Sequence, residues 1–340
     1  MGRSHFTLDL EAVRHNARTL LRELGGAELW AVVKADGYGH GAADVARAAL
    51  ETGATAICVA TVDEAKPLRR TFREARLIVM GPTPEHELRG ARRARLELVV
   101  STPGPVPDGI PVHLKLDTGM GRWGLSELAA TAANVVGLMS HLASAESDPA
   151  FTKEQTRRFL DATADHPDLT RHLANSAGAL RYPAARLDAA RCGIALYGIS
   201  PFGGNPTDDD LRPALSWESE LAQVKHLLLG ESTGYGRRYV AERPTWIGIV
   251  PVGYADGFRR DMTGTEVLVA GERCRVVGTV SMDAFAVELP AELPVLTPVT
   301  LLGDGILAED HARVADTIGY EIVCGLNTRA PRARREVAGV

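Results

Sequence analysis

The sequence predicts an α/β protein: an N-terminal (β/α)8 barrel of the TIM type followed by a β-rich C-terminal domain. Three observations lead there. Short, apolar, β-branched runs alternate with helical patterns over the first two-thirds of the chain. Eight such runs occur, the number that closes a parallel barrel, with a doubly wound sheet as the competing arrangement. After about residue 212 the texture changes to strand-like runs separated by turn signals. At 340 residues the chain has room for both parts, since such a barrel takes about 250 residues. The expected division is a barrel over 1–212 and a β-rich domain over 213–340, with the first few residues open to pairing with the second domain.

The barrel strands are expected at Leu29–Val33, Ala56–Ala60, Leu77–Met80, Leu96–Val100, Val112–Leu116, Val136–Ser140, Leu169–Ala174 and, more weakly marked, Leu187–Arg191. Leu10, Val13, Ala17, Leu20, Leu21 and Leu24 recur at helical spacing, as do Ala43, Val45, Ala46 and Ala49 before Gly53. Thr61-Val-Asp-Glu64 has the form of a capping box opening a helix. Two connections look thin. Ser101–Pro111 is too rich in Pro and Gly for a helix, and the helix between Leu125 and Val135 is short. In the second domain, strands are expected at Trp217–Leu229, Thr245–Val252, Glu266–Val269, Arg273–Val280 and Val299–Leu302, with one helical pattern at His311–Ile318.

Composition narrows the function. Lys+Arg is 38 against 43 Asp+Glu, a net charge of −5, which argues against a general nucleic-acid or membrane-surface binder. No apolar run is long enough to span a membrane, and the N-terminus lacks the pattern of a secretory signal. Cys58, Cys192, Cys274 and Cys324 are far apart, form no C-x-x-C pair and suggest free thiols in a reducing cytoplasm rather than a disulfide scaffold or metal site. Metal-dependent aldolase chemistry would want a His/Cys ligand pair in the second domain, and His226 and His311 are isolated, which sets it aside.

In a (β/α)8 barrel, chemistry sits at the C-terminal ends of the strands. Lys34 directly follows the apolar run LWAVV. Burial there would lower its pKa and make it a nucleophile suited to Schiff-base formation; a lysine snorkelling from the barrel mouth is the plainer alternative. In the fifth strand Val112, Leu114 and Leu116 face the helices, while His113, Lys115 and Asp117 face the lumen. Lys115 then needs a partner, with Asp117 nearest; a structural ion pair, a catalytic role and a charge-reversing modification that lets Lys115 hold Arg122 all remain open. Gly119, Gly121, Gly193 and Gly198 permit close backbone approach and, with Ser176 and Tyr38, form a candidate set of phosphate donors.

The segments AVVKADGYGHG, KLDTGMGRWG, GLMSHLAS, ANSAGAL, RCGIALYG, GYGRRY, VPVGYADGF, VGTVSMDAF and YEIVCGL-x-x-R-x-P-R resemble, in order, those of the alanine racemase family. The match runs from about Phe6 to Arg332. The resemblance implies a homodimeric enzyme with shared active sites that uses pyridoxal 5′-phosphate (PLP), acts on a small amino acid in the cytoplasm, and supplies D-alanine for peptidoglycan. It implies that Lys34 binds the cofactor covalently and serves as one base, with Tyr235 of the partner subunit as the other. Tyr38, Ser176, Gly193 and Ile194 resemble the phosphate-binding set. Arg191 is expected at the pyridine nitrogen, His141 beside the ring, and Arg122 at the phenolic oxygen and the substrate carboxylate. Lys115 resembles the family's carbamylated lysine, which positions that arginine. Met282 is expected to offer its backbone N–H to the substrate, Asp283 follows it in the substrate motif, and Tyr254 is expected to line the entrance.

Two positions depart from some relatives. Thr328 stands where some place a tyrosine, and Ser281 where some have a cysteine. A racemase acting on serine or on a broad range of amino acids is therefore the alternative. A PLP-binding protein without turnover would resemble the barrel alone, and the matching second domain argues against it. The second-domain cysteine motif of fold-related PLP decarboxylases is missing.

Overall fold

A computed structural model describes residues 3–128 and 132–339. The chain divides into two units. One takes the N-terminal stretch up to Ala12, Gly203–Pro206 and everything from Pro213 onward; the other is Val13–Phe202 with Thr207–Arg212.

The first strand, β1 (His5–Asp9), belongs to the strand-rich unit. The barrel follows: β2 (Glu28–Val32), β3 (Ala56–Val59), β4 (Arg76–Val79), β5 (Glu97–Val100), β6 (Val112–Lys115), β7 (Val135–Met139), β8 (Thr170–His172) and β9 (Ala189–Cys192). These eight strands close on themselves in chain order, every neighbouring pair parallel. The doubly wound alternative is thereby excluded. Each expected barrel strand is present, most of them shifted by a residue or so.

The helices around the barrel follow their sequence signals. Leu10–Leu24 buries Val13, Ala17, Leu20 and Leu24 along one face. Val62–Thr71 opens with the expected capping box: the Thr61 hydroxyl accepts from Glu64 N–H, and the Glu64 carboxylate accepts from Thr61 N–H. The Ser101–Pro111 connection between β5 and β6 contains no helix. The short helix expected between Leu125 and Val135 falls partly outside the described residues, and the described ones there are not helical.

The strand-rich unit adds β10 (Leu215–Glu220), β11 (Gln223–Leu227), β12 (Ser232–Thr233), β13 (Tyr239–Val240), β14 (Thr245–Val250), β15 (Glu266–Val269), β16 (Glu272–Val277), β17 (Phe285–Leu289), β18 (Pro298–Leu302) and β19 (Arg334–Ala338). Its main sheet runs β11-β14-β17-β16-β15-β18-β10-β1-β19. Phe6 of β1 stacks on Trp217 of β10 at 5.0 Å, and Phe258 stacks on Phe285 at 4.2 Å.

Two expectations are corrected here. The run Trp217–Leu229 is two strands, because the chain turns at Leu221 and Ala222 from pairing with β18 and β1 to pairing with β14. The helical pattern at His311–Ile318 starts earlier and ends at Val314, as the helix Ala308–Val314; a separate helix, Gly319–Cys324, follows after Ile318 in extended conformation.

Candidate active site

The C-terminal ends of the barrel strands carry the candidate residues, and the strand register explains why. On β6, alternation sends His113 and Lys115 into the lumen, where both are buried. β2 delivers Lys34 two residues past its end, half-buried at the rim. The chain there turns sharply: Ala35, Asp36 and Tyr38 each have φ of 52°, a left-handed conformation that non-glycine residues adopt at a cost. The Glu64 carboxylate holds this turn, accepting from Ala35 N–H at 2.8 Å and Ala60 N–H at 2.7 Å. The result brings the Lys34 ammonium to 5.9 Å from the centroid of the buried Tyr38 ring.

Beside Tyr38 lies a polar cradle. The Ser176 hydroxyl accepts from Gly193 N–H at 3.1 Å and Ala195 N–H at 3.3 Å, and Ser176, Gly193 and Ile194 are all buried. Gly193 makes room here: a Cβ would overlap the Tyr38 hydroxyl unless that ring moved. Hydroxyl groups and backbone N–H groups thus converge on one spot, as an anionic ligand requires. Gly198 N–H donates to the Ala195 carbonyl at 3.0 Å beside the cradle, while Gly119 and Gly121 shape the loop around Asp117.

Arg191 is almost wholly buried in β9. One guanidinium nitrogen donates to His172 Nδ1 at 2.7 Å and to the His172 carbonyl at 2.8 Å. The other donates to the Ser140 carbonyl at 2.7 Å, the Leu173 carbonyl at 3.1 Å and His141 Nδ1 at 3.2 Å. Burial works against its charge, but a guanidinium stays protonated, so the site keeps a fixed cation.

The charges around it are mostly cationic, with the Asp117 carboxylate only partly offsetting them at Lys115. Burial, then Arg191, Lys115, Arg122 and Lys34 in that order, hold the His141 pKa well below its ordinary value. Burial first, then Arg191 and Arg122, lower Lys115 to about 8. Asp117, the expected partner of Lys115, is turned elsewhere: its carboxylate accepts from Gly119, Met120 and Gly121 N–H at 2.8–3.1 Å. Among the described residues no carboxylate lies within ion-pair distance of Lys115, Arg122 or Arg191. Lys115 and the exposed Arg122 both reach the Trp123 ring, at 5.7 and 5.1 Å. Burial pushes the thiols of Cys58 and Cys192 up to about 12, which keeps both protonated at neutral pH.

The remaining predicted residues sit together in the strand-rich unit. Tyr235 is 70% exposed, and its carbonyl accepts from the Thr279 hydroxyl at 2.9 Å. Tyr254 N–H donates to the Ser281 carbonyl at 3.0 Å, and Ala255 N–H to the Met282 carbonyl at 3.1 Å, which ties the Tyr254 and Met282 loops together. Tyr254 and Met282 are also exposed. Asp283 is engaged by Arg332 at 2.6 Å and Arg3 at 3.2 Å.

A family profile described as "Alanine racemase, N-terminal domain" matches residues 8–201, and one described as "Alanine racemase, C-terminal domain" matches residues 214–334. The chain belongs to the alanine racemase family. It is 39% identical to an alanine racemase of Ligilactobacillus salivarius strain UCC118 and 41% identical to one of Lactiplantibacillus plantarum, each over 96% of both chains. Among solved structures it is similar to a biosynthetic alanine racemase from Pseudomonas aeruginosa, with TM-score 0.93, 35% identity, and 99% and 100% of the two chains covered. It is likewise similar to the alanine racemase from Streptomyces coelicolor A3(2), with TM-score 0.90 and 36% identity over 99% and 98%. The barrel and the strand-rich unit are thus those of the family.

Sequence reasoning alone missed several participants. His172, the direct partner of Arg191, lies in an expected strand but was not singled out, although a histidine facing a barrel lumen is a polar signal. Glu64 was read only as a cap, because its hold on Ala35 is a tertiary contact.

Proposed function

We propose that this protein is a PLP-dependent alanine racemase that interconverts L- and D-alanine. The observation that carries this reading is the gathering of Lys34, Tyr38, Ser176, Gly193 and Arg191 at one barrel rim in a family whose relatives bear that name. The cofactor is expected to fit because the site is cationic, carries a cradle of hydroxyl and N–H donors, and offers an amine at its edge. Tyr38, Ser176, Gly193 and Ile194 would hold its phosphate, Lys34 would hold it covalently, and Arg122, His141 and Arg191 would contact its ring. PLP, when bound, withdraws electrons from the amino acid's Cα and so acidifies the Cα–H bond.

The protein's own groups then move the proton. One base cannot reach both faces of a flattened Cα, so two opposed bases are required. Lys34 Nζ takes or returns the proton on one face, and Tyr235 of the partner subunit does so on the other. The exposure of Tyr235, Tyr254 and Met282 suits residues that complete the site of a second chain. Arg122 and the Met282 N–H orient the substrate carboxylate, with Tyr254 at the entrance. Asp283, gripped by Arg3 and Arg332, anchors the Met282 turn of the substrate-binding motif. Arg191, a permanent cation, would disfavour protonation of the pyridine nitrogen and so restrain side reactions.

Lys115 is a candidate for carbamylation. With its pKa lowered to about 8, about one amine in ten is neutral at pH 7 and able to add carbon dioxide. The anion formed faces Arg122 and Arg191, where it is welcome. The proposed setting is cytoplasmic, and the proposed role is to supply D-alanine for peptidoglycan.

The test is racemisation of L-alanine, L-serine and L-lysine by the purified protein with PLP. Alanine is expected to turn over fastest, Lys34→Ala to abolish turnover and Tyr235→Phe to cripple it. Mixing the two inactive variants should restore activity if each site draws Lys34 and Tyr235 from different chains. A preference for serine would move the function to the broader racemase reading, and failure of the mixture to recover would count against the shared site.

A further inference from the structure

A line of hydrogen bonds crosses the barrel lumen from the rim toward the opposite end. Arg191 of β9 donates to His172 Nδ1 at 2.7 Å. His172 Nε2 lies 3.0 Å from His113 Nδ1, and His113 Nε2 lies 2.9 Å from Glu97 Oε2. Glu97 is the first residue of β5, at the barrel end remote from Lys34. Arg76 clamps its carboxylate with bonds of 2.9 and 3.0 Å.

The chemistry of the two ends fixes the direction of the line. A guanidinium has only donors, so His172 Nδ1 must accept and carry no proton. Its Nε2 then bears the hydrogen and donates to His113 Nδ1. His113 in turn carries its proton on Nε2 and donates to an ionised carboxylate, which only accepts. Reversing either ring would set an N–H against an N–H. A doubly protonated ring does the same, and burial disfavours that form for both histidines. The packing is built for this arrangement. Trp30 lies against both rings, at 5.6 Å from His113 and 4.5 Å from His172. Residue 137 has to be glycine, since a Cβ there would overlap the His113 ring.

We propose that Glu97 is a positioning residue for the racemase site: its carboxylate, through His113 and His172, fixes the imidazole tautomers that keep Arg191 aimed at its place beside the cofactor. This rests on the reading of Arg191 given above. Without the acceptor at Glu97, His113 has no reason to keep its proton on Nε2. Once that proton moves to Nδ1, His172 is pushed to the tautomer that opposes Arg191. The guanidinium then loses its shortest side-chain partner and shifts.

The test uses the holoenzyme labelled with 15N in histidine. Long-range 1H–15N spectra report which imidazole nitrogen carries the proton. In the parent, His113 and His172 are expected as neutral Nε2–H tautomers from pH 6 to 9. In Glu97→Leu, His113 is expected to lose the pure Nε2–H pattern and His172 to follow. The cofactor absorbance band should shift, and kcat should fall about tenfold with KM for alanine little changed, the scale of a small displacement of a positioned group. Glu97→Gln keeps an acceptor oxygen and serves if the leucine variant does not fold. It is expected to retain both tautomers, with the His113 Nε2–H resonance moved upfield and most of the kcat rescued. Unchanged tautomers in Glu97→Leu, an unmoved resonance in Glu97→Gln, or altered tautomers with unaltered absorbance and kcat would each overturn the proposal. A parent protein with the expected tautomers and no racemisation would instead overturn the functional reading and leave the tautomer line standing.

Discussion

The barrel mouth and the strand-rich unit handle buried charge in opposite ways. In the strand-rich unit, fully buried Asp256 accepts from Arg332 at 2.7 and 3.1 Å, Arg3 at 2.9 Å and Gly253 N–H at 2.9 Å, and the same two arginines grip Asp283. Arginine and carboxylate are matched two against two. At the barrel mouth, Lys115, Arg122 and Arg191 have no carboxylate within ion-pair distance among the described residues, Asp117 attracting Lys115 only from farther off, and His141 feels these three and Lys34 together. Cations gathered with less counter-charge than their number raise the folding cost of a protein. A matched cluster serves structure; an unmatched one is ready for an anion, on the proposed reading a phenolate and a carboxylate. The contrast separates a scaffold from a binding site within one chain.

The comparison can be broken at several points. Lys34→Ala is expected to lower alanine racemisation by about 10³-fold or more while leaving the melting temperature nearly unchanged. A large loss of stability would mean that Lys34 serves the fold instead. Asp256→Ala should do the reverse, costing about 2–3 kcal/mol in denaturant unfolding. That is less than for a wholly buried pair, because Arg3 and Arg332 reach solvent. Equal stability in the variant would show the cluster to be dispensable. Gly193→Ala is expected to weaken PLP binding about tenfold in an absorbance titration, since the added methyl meets the Tyr38 hydroxyl.

Two smaller effects sharpen the picture through pH. Lys115 titrates near 8 in the folded chain, below the ordinary 10.5. The unfolded chain binds more protons between those values. Stability of protein freed of carbon dioxide should therefore rise with pH across that window, and Lys115→Met should lack the rise. Glu97 is held at about 2, below the ordinary 4.5, by its bonds to His113 and Arg76, which outweigh burial. Its contribution to stability is present above about 4.5 and is lost as the pH falls toward 2, and Glu97→Gln should lack that acid-side slope.

Much of this was legible in the sequence, for physical reasons that differ by region. Barrel strands buried on both sides read as continuous apolar runs, so β2, β3 and β4 stood out. The alternation Val112-His-Leu-Lys115 placed Lys115 in the lumen before any coordinates. The strands β1 and β19 were not visible as such: they pair in parallel with each other across nearly the whole chain, and Arg334–Ala338 carries little apolar signal. The break at Leu221 was hidden because both halves are good strand sequence and only their partners differ. Asp117, the nearest candidate partner of Lys115, makes no ion pair with it for a local reason, though it still attracts that ammonium from farther off. Three backbone N–H groups of the Gly119–Gly121 loop lie closer to Asp117 than any ammonium does. The line from Glu97 to Arg191 joins β5, β6, β8 and β9, a coincidence that only closure of the barrel creates.

The most direct measurement places the PLP-loaded protein with L-alanine in deuterium oxide and follows D-alanine by chiral separation and mass. The account predicts D-alanine that carries deuterium at Cα, formed only when PLP is bound and absent with Lys34→Ala. PLP bound at Lys34 with no D-alanine formed would contradict it.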